Sequence, residues 1–339
     1  RTPMISPPAV KYELAAKQHA VACGGIGMIM QLVKQLDLRK QINRALPLFR
    51  CYSPYDEADH VLNIALNLLA GGTCLEHLEL RRNDEAYLDA LGAVRIPDPT
   101  TAGDFCRRFG ETRLLFLMQA INRVRQTVWK QQPDEFFKRA TIDVDGTMVE
   151  TQGEKKQGIG MNYKGQWGYH PLVLTLAQTQ EVLYLVNRPG NRPSHEGVAF
   201  YYDLAINECR KAGFREILLR GDTDFALTEN FDRWADAGVH FLFGIDAMPK
   251  LVQLAEALES TSWKPLSRDR HAEGRKRRAG RPNYKEQIGG GQGYENLRLQ
   301  GEAVAEFDYR PTKCSRAYRV VVVRKNIDVT QGQQLLFDK

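Results

Sequence analysis

From the N-terminus to about residue 135, apolar positions recur at intervals of three and four, most clearly in Ile26–Leu36, Val61–Leu69 and Leu114–Val128. That spacing predicts helices with one buried face. Gly71-Gly72 ends the second of these stretches, as glycine commonly does after a helix. Asp98-Pro99-Thr100-Thr101 opens another helix, in which Thr101 and Asp104 are spaced like a capping box. After Pro133 the pattern changes. Ala140–Val144 reads as a strand. Gly168–Gln178 and Glu181–Asn187 are rich in Val, Leu, Thr and Tyr, flank a short polar turn, and read as a hairpin. Pro189, Gly190 and Pro193 then break the chain. Ser194 is placed to cap a helix running to about Lys211, with Glu196 near its positive end. Gly213 ends that helix. Glu216–Arg220 is a strand, followed by a helix to about Ala237, a strand over Val239–Ile245 and a helix over Pro249–Ser260. Strand-like sequence resumes at Ala303–Tyr309 and Tyr318–Arg324.

The resulting order is strand, hairpin, helix, strand, helix, strand, helix. The first three strands can form a meander, and the later ones must be joined by crossovers. This predicts an α/β fold with a ribonuclease-H-like mixed sheet, an α-helical N-terminal region and a partial β-rich insertion. A doubly wound parallel sheet would place a helix directly after the first strand. The boundaries fall at 1–135 for the helical region, 136–262 for the core and 263–339 for a basic and β-rich segment.

Composition narrows the function classes. Hydrophobic residues make up 43% of the 339, enough for a substantial core, and the net charge is +6. That charge suits a polyanionic partner without requiring one. The six cysteines form no C-x-x-C pair and no His cluster joins them, which argues against structural zinc. Scattered single cysteines suit a reducing cytoplasm. The apolar stretch around Val61–Ala70 is too short to span a bilayer and contains Asn63 and Asn67. Both ends read as the edges of a fragment. Charge is concentrated between residues 268 and 285, where eight Lys or Arg face Asp269 and Glu273. The glycine-rich Ile288–Gly293 that follows lacks the strand–turn–helix setting of a phosphate loop and reads as a turn.

Two acidic pairs carry the candidate chemistry: Asp143 and Asp145 in Thr-Ile-Asp-Val-Asp-Gly-Thr, and Asp222 and Asp224 in Leu-Leu-Arg-Gly-Asp-Thr-Asp-Phe. Positions i and i+2 of a strand share a face, so Asp143 and Asp145 point one way while Ile142 and Val144 pack on the other. Asp222 follows the apolar run Ile217-Leu218-Leu219. Carboxylates at strand ends call for solvent, hydrogen bonds or a cation. A divalent metal meets that need and accepts phosphate oxygens as well. Two such ions support an in-line phosphoryl transfer. A single Asp after a strand more often caps a turn; two pairs at two strand ends favour function.

One competing signature stands in the same residues. Asp143-Val-Asp-Gly-Thr147 matches the nucleophile motif of haloacid-dehalogenase-like phosphatases, and Gly221-Asp222-Thr-Asp224 resembles their metal-binding motif. That fold expects a helix soon after the first strand, where a hairpin is predicted here. It also leaves the helical region and the basic segment unexplained.

The ordered set Asp145-Gly-Thr147, Gly168-Tyr-His-Pro-Leu172, Arg220-Gly-Asp-Thr-Asp-Phe225, Glu229-Asn-Phe-Asp-Arg-Trp234, Phe241-Leu-Phe-Gly-Ile-Asp246, Glu306-Phe-Asp-Tyr-Arg-Pro311 and Tyr318–Lys325 resembles bacterial insertion-sequence transposases with a group-1 DDE domain. The resemblance covers nearly the whole chain and is strongest from about residue 140. It implies a ribonuclease-H-like catalytic core that binds two Mg²⁺ (or Mn²⁺), with Asp145 and Asp222 as the first two catalytic, metal-holding carboxylates. Asp143 and Asp224 are neighbours that could substitute for them or support them. The family's third residue is a Glu on a helix beyond an inserted β-rich region. Here Arg268–Phe337 reads as that insertion, and the third carboxylate is expected beyond residue 339. Glu302 and Glu306 lie at strand-like positions within it and do not fill the role.

The implied activity is metal-dependent cleavage at a transposon end, then transfer of the freed 3′-hydroxyl to target DNA. The 339 residues alone are expected to be inactive. The implied partner is double-stranded DNA, both transposon ends and target, with self-association on DNA and no membrane, in a bacterial cytoplasm at the nucleoid. DNA-contacting candidates are Lys155, Lys156 and Lys164, beside Trp167, and Arg275, Lys276, Arg277, Arg278 and Arg281 in the basic segment. Arg275–Arg278 with Gly280-Arg281-Pro282 is a poor match to a minor-groove hook, because Ala279 replaces its first core Arg. Arg107 and Arg108 read as a solvated helix face. Three alternatives stay open: a phosphatase using Asp143, a structure-selective nuclease of the same fold, and a catalytically dead DNA-binding remnant.

Overall fold

A computed structural model describes residues 23–49, 54–153, 156–267 and 298–328, with backbone alone for 298–300, 327 and 328. In chain order its helices and strands begin with α1 (Ile26–Gln35), α2 (Leu38–Ala45), α3 (Glu57–Leu69), α4 (Leu78–Arg82), α5 (Glu85–Leu91), α6 (Pro99–Cys106) and α7 (Glu111–Trp129). There follow β1 (Arg139–Gly146), β2 (Val149–Glu150), β3 (Gly160–Met161), β4 (Trp167–Tyr169), β5 (Leu172–Leu176), β6 (Glu181–Val186) and α8 (Val198–Ala212). The remainder is β7 (Glu216–Gly221), α9 (Phe231–Asp236), β8 (Val239–Phe243), α10 (Pro249–Glu256), β9 (Lys264–Pro265), β10 (Arg298–Tyr309) and β11 (Tyr318–Asp328).

Among the described residues the main sheet has five strands in the order β6-β5-β1-β7-β8. Numbered along the chain within that sheet, this is third, second, first, fourth, fifth: the ribonuclease-H-like order. β7 and β8 run parallel, Ile217 opposite Val239 and Gly221 opposite Phe243, as their crossover through α9 requires. Two smaller sheets, β2-β4-β3 and β11-β10-β9, complete the α/β fold.

The chain divides into two compact units. The first comprises residues 1–140, 173–186 and 203–215. Its helical part has two cores. Ile26, Val33, Leu62, Leu66, Tyr87 and Ile96 form one, and Ile42, Leu46, Leu48, Ala58 and Phe105 the other. Asp56 caps α3 by a capping box with Asp59. Trp129, at the end of α7, is buried against Phe136 and Phe214 and donates its indole N–H to Glu181 at 2.9 Å. The second unit comprises residues 141–172, 187–202 and 216–339. Its aromatic layer of Phe231, Trp234, Phe241 and Phe243 reaches Tyr202 and Tyr318. No helix among the described residues is long and apolar enough to cross a membrane.

The helices at Ile26, Val61 and Leu114 and the stop at Gly71, where φ is +84°, follow the hydrophobic pattern. Four local expectations are corrected. α6 begins at Pro99, and its cap is Asp98, which accepts from the N–H and the hydroxyl of Thr101 at 3.0 and 2.7 Å. Thr101 is therefore inside the helix and makes no box with Asp104. The strand expected over Gly168–Gln178 is split at His170-Pro171. Its first part, β4, joins the small sheet, and its second, β5, the main one. The helix expected from Ser194 begins at Val198 instead. Residues 194–197 form turns whose carbonyls serve a buried arginine rather than a helix. The helix expected before Ala237 is reduced to α9, preceded by two 3-10 turns at Thr223–Phe225 and Thr228–Asn230.

Candidate active site

β1 alternates as its sequence demands. Ala140, Ile142 and Val144 are buried, Asp143 is half-buried, and Asp145 is exposed on the opposite face. β7 buries Ile217 and Leu219 and leaves Arg220 exposed before the chain turns out at Asp222. The two strands are neighbours. A Cβ on Gly221 would lie 3.1 Å from Val144 Cγ1 and 2.9 Å from Phe225 Cβ. The C-terminal ends of β1 and β7 therefore lie side by side. Asp145 follows Val144 and Asp222 follows Gly221, so both leave the sheet at the same edge.

The four acidic side chains differ in what holds them. Asp145 accepts from the N–H of Gly146 at 2.7 Å, and Asp222 caps a 3-10 turn by accepting from the N–H of Asp224 at 3.0 Å. Both stay exposed. Asp143 is instead clamped by both arms of Arg220, Nε to Oδ1 at 2.7 Å and Nη2 to Oδ2 at 2.6 Å. That bidentate fork neutralises it and raises the guanidinium's pKa through the same hydrogen bonds. Beneath lies Tyr202, fully buried, its hydroxyl donating to the carbonyl of Arg220 at 3.1 Å. Burial pushes that phenol far above its usual range, and the charges of Asp143 and Asp222 push it further.

His170 and Arg188 form the other wall. The break between β4 and β5 leaves His170 with its N–H on the carbonyl of Arg188 at 2.8 Å. Arg188 returns Nε to the carbonyl of His170 at 3.1 Å, and its Nη2 lies 3.4 Å from the ring Nδ1. Its Nη1 serves the carbonyls of Pro193, Ser194 and Glu196. This arginine is 8% exposed and carries its charge among carbonyl oxygens, the compensation a buried cation needs. The far edge of the His170 ring rests on Gly146: a Cβ there would sit 3.0 Å from Cε1 and 3.1 Å from Nε2. Burial lowers the imidazole pKa, and the Arg188 charge lowers it further. The backbone of Arg192 and the charges of Asp224 and Asp145 act against that shift.

A cavity of about 640 Å³ opens here, lined by Gly146, Tyr163, Lys164, His170, Arg192 and Asp224 among others. Its wall combines apolar surface, including Met148 and Met161, with Lys164, Arg192 and Asp224, and the exposed ring of Tyr163 stands at its rim. An oxygen-only donor set without a competing cation suits a hard divalent ion. Asp145 and Asp222 offer such a set, and Asp143 does not, because Arg220 occupies it. Among the described residues no group of three or more His, Cys, Asp or Glu is gathered as a metal cluster. Cys23, Cys74, Cys106, Cys209 and Cys314 are free thiols.

Of the basic candidates, Lys164 lines the cavity with its ammonium 5.4 Å from the Tyr163 ring, and Lys156 is hydrogen-bonded to Thr151. Trp167 is half exposed on β4. Lys155, Arg275, Lys276, Arg277, Arg278 and Arg281 lie outside the described residues. Sequence reasoning passed over Arg188, Arg220 and His170. The signal for Arg220 was its place next to an acidic strand end. For Arg188 there was none, since its five acceptors are set by folding alone.

No curated protein matches the sequence. Among solved structures, one that is similar is the piggyBac transposase in a synaptic complex with hairpin DNA, at 10% identity and a TM-score of 0.35. The similarity covers 89% of this chain and 59% of that one. The transposase DDE domain group 1 family matches residues 14–332, so the chain belongs to that family.

Proposed function

We propose that this chain carries the catalytic core of a metal-dependent transposase, which hydrolyses a phosphodiester at a transposon end and joins the freed 3′-hydroxyl to target DNA. One observation supports this most: Asp145 and Asp222 leave adjacent strands at the same sheet edge, exposed and without a cationic partner among the described residues, in a chain of the DDE family. These two carboxylates would hold the metal, and Asp224, at the cavity, would support them. Divalent ions held there, Mg²⁺ or Mn²⁺, would supply Lewis acidity for the attacking and leaving oxygens. Asp143 keeps Arg220 in place beside the site. Lys164, with Arg192 beside its ion-pair partner Glu196, would face the DNA backbone. The helical residues 1–135 would serve DNA binding or self-association, residues 136–262 the chemistry, and residues 263–339 further contact with duplex DNA. A phosphatase using Asp143 is disfavoured, because its would-be nucleophile is held at both oxygens by Arg220.

The test is cleavage of a labelled transposon end with Mg²⁺. Asp145→Asn and Asp222→Asn should each reduce cleavage by about a hundred- to a thousandfold, the scale on which loss of charge stabilisation in the transition state is felt. Asp143→Asn should cost far less. Turnover of a small phosphate ester that is lost in Asp143→Asn would replace this reading with the phosphatase.

A further inference from the structure

The His170 ring is pinned between two features that constrain what it can do. Its Nδ1 side faces the Nη2 of Arg188 at 3.4 Å. A guanidinium has five N–H donors and no lone pair to offer. As a hydrogen bond this contact has Arg188 donating and Nδ1 accepting, with the ring proton on Nε2; the backbone of Arg192 also faces the ring. Arg188 cannot turn away, because its other nitrogens are engaged by the carbonyls of His170, Pro193, Ser194 and Glu196. The adjoining ring edge, Cε1 and Nε2, lies over Gly146, the residue after Asp145. The same cavity is lined by Gly146, His170 and Asp224. Only glycine at 146 lets the ring come so close, since any Cβ would press on it.

We propose that His170 is a catalytic residue that donates its Nε2–H to a non-bridging oxygen of the scissile phosphodiester, with Arg188 as the positioning residue that sets the tautomer. This deepens the function proposed above and rests on it. A phosphodiester seated at Asp145 and Asp222 needs its non-bridging oxygens satisfied as charge builds on them. A lysine would supply a full positive charge beside the cation-holding carboxylates. An imidazole donor supplies a directed hydrogen bond without that charge. The proton stays on Nε2 throughout, and no bond to it is broken. The motif Gly168-Tyr-His-Pro-Leu172 then has a reason for each central feature. Pro171 ends the small-sheet strand, and the break turns the backbone of His170 towards Arg188.

Two side chains separate this role from a structural one. Glutamine carries its amide nitrogen near the place of Nε2, and asparagine carries its own near Nδ1. His170→Gln should keep single-turnover cleavage within about tenfold of the wild type. His170→Asn should lose about 100- to 1,000-fold, as removal of one preorganised donor does. The reverse order, or two variants that cleave like the wild type, would overturn the proposal. A second readout does not depend on cleavage. In protein labelled with ¹⁵N-histidine, the His170 signals should show the Nε2–H tautomer, and Nε2 should shift when a thymidine dinucleotide is added with Ca²⁺. An Nδ1–H tautomer, or an Nε2 indifferent to the dinucleotide, would refute it. Asp145→Asn is the control that keeps the two readings apart. If that variant cleaves normally, the site itself is misassigned, whereas the tautomer and titration results stand by themselves.

Discussion

Asp232 shows how much one carboxylate can organise. It accepts from the hydroxyl of Tyr318 at 2.6 Å and from both the N–H and the hydroxyl of Ser315, at 2.6 and 2.7 Å, and Arg316 stands 3.5 Å away. These hydrogen bonds, Tyr318 first, hold its pKa down at about 2. A carboxyl with a folded pKa below its unfolded value stabilises the fold above the unfolded value and stops doing so as pH falls through the folded one. The contribution should therefore be complete above pH 4 and disappear between about pH 4 and 2. Asp232→Asn should be less stable at neutral pH, and its melting temperature should fall less steeply than the wild type's across that acid window. Equal slopes would remove Asp232 from the account. At this scale the sequence was partly legible. The acidic pairs were visible because i and i+2 share a strand face. Their division of labour was not, because it depends on Arg220, which reaches Asp143 rather than Asp145. Arg188 was invisible for a related reason: a buried arginine is recognised by the carbonyls that fold around it, and these come from separate turns.

At the scale of elements, periodicity identified the long helices and the core strands, whose burial repeats every 3.6 or every two residues. It failed where a segment serves two sheets. Residues 167–176 have strand-like composition throughout, yet His170-Pro171 breaks them, because proline has no N–H for a ladder. It failed again after Asp222, where the capping carboxylate tightens the chain into 3-10 turns. The small sheet β2-β4-β3 depends on one position. A Cβ on Gly168 would stand 2.1 Å from the carbonyl oxygen of Val149 across the β2–β4 pair. Gly168→Ala must push these strands apart, at about 1–3 kcal/mol for overpacking of this kind. Chemical denaturation should record that loss. Amide exchange at Thr151, whose N–H is bonded to the carbonyl of Trp167 at 3.1 Å, should accelerate more than exchange in β5. Unchanged protection at Thr151 would mean that the sheet absorbs the methyl group.

At the scale of the whole molecule, the +6 net charge is unevenly distributed along the chain, with Arg275, Lys276, Arg277 and Arg278 in succession. Each phosphate neutralised on duplex DNA contributes about 0.9 to the slope of log affinity against log salt. Replacing these four with alanine should flatten that slope by up to about 3 to 4, measured by anisotropy between low and physiological salt. A slope that does not move would assign the run to another task. The arrangement of the main sheet has a consequence for biosynthesis. Its central strand carries Asp145, and the neighbour that brings Asp222 is far along the chain: the clasped residues of the two strands, Asp143 and Arg220, are 77 positions apart. Ribosomes add about 5–20 residues each second, so a nascent chain carries the first carboxylate for several seconds before the second has been translated. On the function proposed above, a gene copy broken by a stop codon or frameshift between those positions would yield a protein with only the first of the two proposed metal-holding carboxylates.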